Sequence, residues 1–282
     1  MKTIENISRM STFVKIIKKE GKSIGLVPTM GYLHEGHLSL VRAAKKHTDV
    51  VVMSIFINPI QFGPKEDFEK YPRDLKHDEE MAREAGVDVV FYPSLKDMYP
   101  EGYATYVSVE KLTDNLCANS RPGHFRGVAT VVTKLFNIVK PSVAYFGQKD
   151  MQQAMMIKKM ALDLNMDIEV KIMPVAREKD GLAMSSRNIY LSNAERKDAA
   201  VIYQSLKYAE TLIKNGERDA RKVIKAVEDM IKSKQSTRIE YVKLVDARDL
   251  TDTKTITGEI ALAVAVFFAN TRLIDNITIM VE

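Results

Sequence analysis

The sequence predicts an α/β protein in which a doubly wound parallel sheet forms an N-terminal domain and a smaller α+β domain follows. Three observations carry this. Apolar, β-branched runs alternate with helical patterns through the first two thirds of the 282 residues, the signature of parallel strands joined by crossover helices. Polar and glycine-bearing segments fall just beyond those runs, where open α/β sheets bind their ligands. Past about residue 190 the texture changes to helical patterns followed by strand patterns.

Taken in order, residues 24–28, 50–57, 87–92, 143–147 and 168–175 read as strands, each apolar and short. The first hands over to an amphipathic helix expected over 38–46, and the fourth opens a helix expected over 151–164. Pro59, Gly63 and Pro64 lie among polar residues, so 58–71 reads as a loop over the site. Helices over 193–215 and 219–233 and strands over 239–246, 260–269 and 277–281 build the C-terminal part. The boundary falls between Pro174 and Ser186, and the chain divides into domains 1–175 and 176–282.

Hydrophobic residues make up 45% and charged residues 28%, ordinary globular usage that excludes disordered and fibrous classes. The longest apolar run, 260–269, falls well short of the roughly 18 residues of a membrane helix, so no membrane partner is expected. No apolar h-region with a cleavage site marks the N-terminus, and a single cysteine, Cys117, excludes an intrachain disulfide and a cysteine-rich zinc site. Both point to the cytoplasm, and nothing marks Cys117 as a nucleophile. A net charge of +5 suits anionic ligands and is compatible with RNA, yet no run of five basic residues occurs and there is no Trp. Nucleic acid is therefore not an expected partner.

His34, Glu35, Gly36 and His37 frame the chemistry. Two imidazoles three residues apart share a helix face, and at a helix start they add donors to unpaired N–H groups and a positive dipole. A phosphate suits that place, and Gly36 lets a base or ribose press on the backbone. Alone, the same residues also make a helix cap with two satisfied surface histidines. Gly147, Gln148, Lys149 and Asp150 close a strand and open a helix, where Lys149 meets phosphate as a point charge and Gly147 permits close approach. Gln153, four residues after Lys149, shares its face and suits a substrate hydroxyl or carboxylate. Met184, Ser185, Ser186 and Arg187 join two hydroxyls to a guanidinium fork, a set for polyphosphate. A solvated lysine and a serine-capped turn are the plainer readings of these two segments. Asn58 and Gln61 follow the second strand and can bind a small polar substrate, or simply form a turn. Arg121 and His124 offer a further anion-facing loop; His47 and His77 read as solvated. No nucleophile elbow, Walker A sequence or zinc spacing is present, which argues against covalent catalysis by the protein and against a protein metal site.

Together these residues resemble the nucleotidyltransferase superfamily shared with class I aminoacyl-tRNA synthetases, whose signature is His-x-Gly-His after the first strand. The stretches PTMGYLHEGHLSLV, FINPIQFGPKEDFEKYPR, RPGHFRGVATVV, YFGQKDMQQ and DGLAMSSRNIYLS narrow the resemblance to the pantoate-beta-alanine ligase family. That resemblance implies a Rossmann-like N-terminal domain binding nucleotide and pantoate, a C-terminal domain closing over the active site, and a cytoplasmic homodimer. It implies a ligase of pantothenate biosynthesis that uses ATP and Mg²⁺ to join pantoate to β-alanine. Carried over residue by residue, Met30, Gly31, Tyr32, Leu33, His34, Glu35, Gly36 and His37 line the ATP site, with Gly147, Gln148, Lys149, Asp150, Ala176, Met184, Ser185, Ser186 and Arg187. His37 is the proton donor; His34 and Lys149 complete the expected catalytic set. Gln61 contacts pantoate and β-alanine, Gln153 contacts pantoate, and Asn58 joins them. Ala176 stands where the family often has Val, a contact made through backbone. The rivals are an adenylyltransferase that releases a stable adenylated product and a tRNA-binding synthetase; the first lacks the Gln61 and Gln153 pair, and the second needs an anticodon domain larger than the last hundred residues.

Overall fold

A short strand ahead of the first expected one opens the chain in the computed structural model, which describes every residue except Lys65, Asn119 and Glu282. The elements run β1 (Lys2–Ile4), α1 (Ile7–Lys19), β2 (Ile24–Thr29), α2 (Glu35–Lys45), β3 (Val50–Ile55), α3 (Leu75–Glu84), β4 (Val89–Phe91), α4 (Leu95–Met98), α5 (His124–Val139), β5 (Val143–Gly147), α6 (Met151–Asp163), β6 (Glu169–Met173), α7 (Asn193–Ala199), α8 (Val201–Lys214), α9 (Ala220–Lys232), β7 (Thr237–Asp246), β8 (Gly258–Phe268) and β9 (Thr271–Val281). Two compact units result. The first comprises Met1–Glu110, Ser120–Gln148 and Gln153–Pro174, the second Lys111–Asn119, Lys149–Gln152 and Val175–Glu282.

In the first unit the described strands form one parallel sheet in the order β1-β4-β3-β2-β5-β6, the expected doubly wound topology. All six residues of β3 are buried, as a parallel sheet covered on both faces requires. Val27, Val51, Met53 and Ile55 pack with Leu40, Val41 and Ala44 of α2 and Ala82 of α3. The chain moves outward from β2 through β3 and β4 and then returns to the other side of β2 with β5, so the topological switch lies between β2 and β5. Pro28 marks that place. The O of Ile24 accepts from the Ser142 N–H and the O of Thr29 from the Phe56 N–H, so the strand's alternation turns Pro28 toward β5. Having no N–H, it cannot extend the ladder, and β2–β5 pairing ends at Leu26↔Ala144 while β2–β3 pairing continues to Thr29↔Ile55.

In the second unit β7, β8 and β9 form an antiparallel meander. One sheet face, including Leu262, Val264 and Val266, packs against Ile202, Leu206 and Ile213 of α8 and Val223, Val227 and Ile231 of α9. The expected single helix over 193–215 is two helices. Ser192 and Glu195 form a reciprocal cap on α7, and the run is interrupted at Ala200 before α8 begins. Among the described residues no helix is long and apolar enough to cross a membrane.

Candidate active site

The histidine pair sits within the helix start rather than ahead of it, because α2 begins at Glu35, three residues earlier than the spacing predicted. His34 is the N-cap: its Nδ1 accepts from the Gly36 N–H at 3.1 Å, while Nδ1 of His37 accepts from the His34 N–H at 3.3 Å. The pair forms a reciprocal cap built from imidazoles, with ring centres 4.0 Å apart. A backbone N–H only donates, so neither Nδ1 carries a proton and each ring holds its N–H at Nε2. Both rings are thus oriented and their tautomers set by the backbone at the positive end of α2. Glu35 is paired with Arg42, both about half exposed.

The loop before the helix is held by Asp78, a residue outside every sequence motif. Its carboxylate, 2% exposed, accepts from the Leu33 N–H at 2.7 Å and the Tyr32 N–H at 2.9 Å. Burial pushes this carboxyl above its ordinary value, and the two N–H donors oppose that. Gly31 (φ 85°) and Tyr32 (φ 50°) are left-handed there, and a Cβ on Gly31 would come within 2.8 Å of an Asp78 oxygen. The signal for Asp78 was its position: with Leu75 and Ala82 it falls on the inward stripe of α3, where an acid needs partners.

Asn58 and Gln61 come together beside Met30. Asn58 is 1% exposed and Gln61 8%; Asn58 Nδ2 donates to Gln61 Oε1 at 3.0 Å and to the Gly127 carbonyl at 3.1 Å, and Gln61 Nε2 lies 3.2 Å from the Met30 sulfur. Helix α5 reaches this turn only because residue 127 is glycine: a Cβ there would sit 2.4 Å from the Ile60 oxygen and 2.7 Å from Gln61 Cα. Arg121 makes a two-point pair with Glu66, 2.7 Å at each contact, and its third nitrogen lies 3.0 Å from His124 Nε2. His124 Nδ1 in turn donates to the Gln61 carbonyl at 2.8 Å. The loop expected over 58–71 is therefore tied to α5; Lys65, within it, lies outside the described residues. Burial raises the Glu66 carboxyl, but the hydrogen bonds and charge of Arg121 outweigh it and hold it below the ordinary range. At the end of β5 a Cβ on Gly147 would meet no atom within 4 Å, so the space beside it is open. Gln148 and Gln153 belong to this unit and are half-buried.

The second unit holds Lys149, Asp150, Ala176 and residues 184–187. Lys149 is half-buried, and burial of its ammonium lowers its pKa, opposed by Asp150 and Asp275 and reinforced by Arg187. Asn276 Nδ2 donates to the Lys149 carbonyl at 3.0 Å. Residues 176–184 turn back on themselves: Arg177 bridges Ala183, and the Met184 N–H donates to the Ala176 carbonyl at 3.0 Å. The turn is fastened by Arg177, which grips buried Asp275 at 2.5 and 3.0 Å and lies over the Tyr203 ring at 4.0 Å. Asn188 donates to Glu178 at 3.0 Å and to the Ala183 carbonyl at 3.2 Å, and Ser185 Oγ accepts from the Arg187 N–H at 3.3 Å. Ser186 is buried and Asp150 exposed. Among the described residues no three or more His, Cys, Asp or Glu side chains gather as a metal cage.

The comparisons agree along the whole chain. The family model of pantoate-beta-alanine ligase matches residues 2–278. The chain is 57% identical to the pantothenate synthetase of Acetivibrio thermocellus over 281 residues, covering 100% of each, and 56% identical to that of Moorella thermoacetica over 282, again covering 100% of each. Among solved structures it superposes on pantothenate synthetase from Thermus thermophilus with a TM-score of 0.94 at 42% identity, covering 98% of this chain and 99% of that one. A pantoate-beta-alanine ligase from Francisella tularensis, described as complexed with beta-gamma ATP and beta-alanine, gives 0.80 at 33% identity, covering 98% and 97%. The doubly wound sheet, the ordered motifs and these full-length matches have one consequence: the chain belongs to the pantoate-beta-alanine ligase family.

Proposed function

We propose how the residues of each unit serve the reaction of this family. The chain is a ligase of pantothenate biosynthesis that condenses pantoate with β-alanine at the expense of ATP, giving pantothenate, AMP and pyrophosphate through a pantoyl adenylate. A carboxylate does not form an amide with an amine at neutral pH until one of its oxygens becomes a good leaving group. Adenylation achieves that. A pantoate carboxylate oxygen bonds to the α-phosphorus as the bond to pyrophosphate breaks; the β-alanine nitrogen then bonds to the acyl carbon as AMP departs. The protein's part is to position reactants and offset developing charge.

In the first unit, Met30, Gly31, Tyr32, Leu33, His34, Glu35, Gly36 and His37 line the nucleotide, and His34 and His37 present Nε2–H donors to α-phosphate oxygens, with His37 as proton donor. Gly147 and Gln148 add to this nucleotide set. Gln61 and Gln153 take the pantoate, Asn58 joins them by holding the Gln61 amide from its buried side, and Gln61 also takes β-alanine. In the second unit, Lys149 and Arg187, with Ser185 and Ser186, spread the charge that gathers on pyrophosphate, while Asp150, Met184 and the backbone of Ala176 contact the nucleotide. Magnesium, which the family resemblance implies, would neutralise polyphosphate charge alongside Lys149 and Arg187. A homodimer follows from the resemblance and is tested by sedimentation.

One observation supports this assignment above the others: two imidazoles 4.0 Å apart, each with Nδ1 tied to backbone, at the start of the helix that follows the central strand. The deciding assay supplies ATP, Mg²⁺ and pantoate and measures AMP release with and without β-alanine. Release should depend on β-alanine, and His37→Ala should slow adenylation by about 10²-fold, the scale of losing one transition-state donor. Turnover of His37→Ala at the unsubstituted rate removes that role.

A further inference from the structure

We propose that Tyr99 is a positioning residue that, through Asn58, fixes the side-chain amide of Gln61 with its NH₂ group turned to the substrate, so that this position of the site selects a hydrogen-bond acceptor. The inference rests on the reading of Gln61 as a pantoate contact and explains what sets its direction.

The orientation follows from one group that has no choice. The Gly127 carbonyl can only accept, so the atom of Asn58 lying 3.1 Å from it is the nitrogen. The second N–H of that nitrogen reaches Gln61 at 3.0 Å, and Gln61 must answer with Oε1. Gln61 Nε2 is then on the far side, 3.2 Å from the Met30 sulfur. A thioether is a weak acceptor, so a hydroxyl or carboxylate oxygen arriving there gains a better hydrogen bond than it displaces. Asn58 Oδ1 is the remaining polar atom of the amide, and the Tyr99 hydroxyl donates to it at 2.8 Å. With Asn58 1% exposed, an unmatched Oδ1 is costly, and rotating the amide would set that oxygen against the Gly127 carbonyl.

Tyr99 is itself held in place. Its ring lies 5.0 Å from Tyr103, edge to face, and 6.1 Å from Phe56, and the Lys134 ammonium stands 5.8 Å from its centre. Burial raises the phenol well above its ordinary pKa, so it remains a donor across the pH range in which the enzyme is assayed. No position of Tyr99 in the sequence signals this role; it is the C-cap residue of the short helix α4, brought to Asn58 by the sheet.

The test measures KM for ATP, pantoate and β-alanine in Tyr99→Phe, Gln61→Ala and the double variant. Tyr99→Phe should raise the pantoate KM about tenfold, the size of one buried hydrogen bond, and leave the ATP KM unchanged, with the thermal midpoint lowered by the buried oxygen left unmatched. Gln61→Ala should raise the pantoate KM more, and Tyr99→Phe should add little on top of it, because the tyrosine acts through the glutamine. If Gln61→Ala raises the pantoate KM while Tyr99→Phe leaves it alone, the relay is overturned and the role of Gln61 stands. If neither moves it, both fall. Parallel increases in all three KM values in Tyr99→Phe, that for ATP included, mark a merely structural residue and also overturn the proposal. Side-chain amide exchange in the unsubstituted ¹⁵N-labelled protein supplies an independent arm: the Asn58 NH₂ protons should exchange slowly, and fast exchange contradicts the bonded arrangement.

Discussion

Asp78 shows how much a single buried charge can organise. Its two oxygens hold consecutive N–H groups of a loop whose left-handed backbone at Gly31 and Tyr32 would otherwise have no reason to persist. Asp78→Asn replaces one acceptor oxygen by an NH₂ that faces a backbone N–H. We expect it to cost about 1–3 kcal/mol in urea unfolding, the price of a buried group left unmatched, and to lower kcat/KM for ATP because His34 begins where this loop ends. The pH dependence has a definite sign. The folded-state pKa of Asp78 is raised, so the contribution of its carboxyl is fully present below the ordinary value and is lost as pH rises through the folded value. The stability gap between the unsubstituted protein and Asp78→Asn should be widest in acid and narrow toward neutrality; a gap that grows with pH contradicts the burial argument.

Among the elements, α5 and the turn at Pro59–Gln61 meet backbone to backbone, and Gly127 makes the contact possible. Two effects of Gly127→Ala compete. Alanine improves helix propensity by roughly 1 kcal/mol. Against this, the new Cβ lies 2.4 Å from a backbone oxygen and 2.7 Å from Gln61 Cα, contacts that must be relieved by moving the turn, at about 1–3 kcal/mol or more for overpacking. We expect the second to win: lower stability by calorimetry and a raised pantoate KM, with ATP binding by titration calorimetry unaffected. A stabilised Gly127→Ala enzyme with normal pantoate kinetics would show the turn to be pliable. The α2 start follows the same logic of local backbone demand, since the imidazoles of His34 and His37 satisfy the N–H groups that a Ser or Asp cap would satisfy elsewhere.

Across the whole molecule the charge is close to balanced near neutrality, 42 basic against 37 acidic residues, so at that pH individual pairs rather than general repulsion set the electrostatic contribution to stability. Glu66 is the pair with the opposite sign to Asp78. Its folded-state pKa is lowered, so the stability it adds is present above its ordinary value of 4.5 and is lost as pH falls through the folded value. Urea midpoints of the unsubstituted protein and Glu66→Gln should therefore differ near pH 7 and converge in acid. Equal midpoints at pH 7 would mean that the Arg121 pair contributes nothing to holding the 58–71 loop.

The sequence alone determined the architecture and the family. Strand and helix periods, punctuation by Gly and Pro, and five ordered motifs are local patterns, and local patterns survive in one dimension. It also singled out His34, His37, Asn58, Gln61 and Lys149 as candidates, because unusual polar residues after buried strands stand out against their surroundings. What it left open was how those side chains are held. The edge strand Lys2–Ile4 is too short for a periodic signal, and the break at Ala200 interrupts an apolar pattern that itself continues without interruption. Asp78, Tyr99, Gly127 and Glu66 lie far along the chain from the groups they position, and their roles consist entirely of hydrogen bonds and close contacts across long sequence separations. Only folding brings such partners within hydrogen-bonding distance, and only there do burial and fixed backbone donors decide which nitrogen of a histidine keeps its proton and which way an amide points.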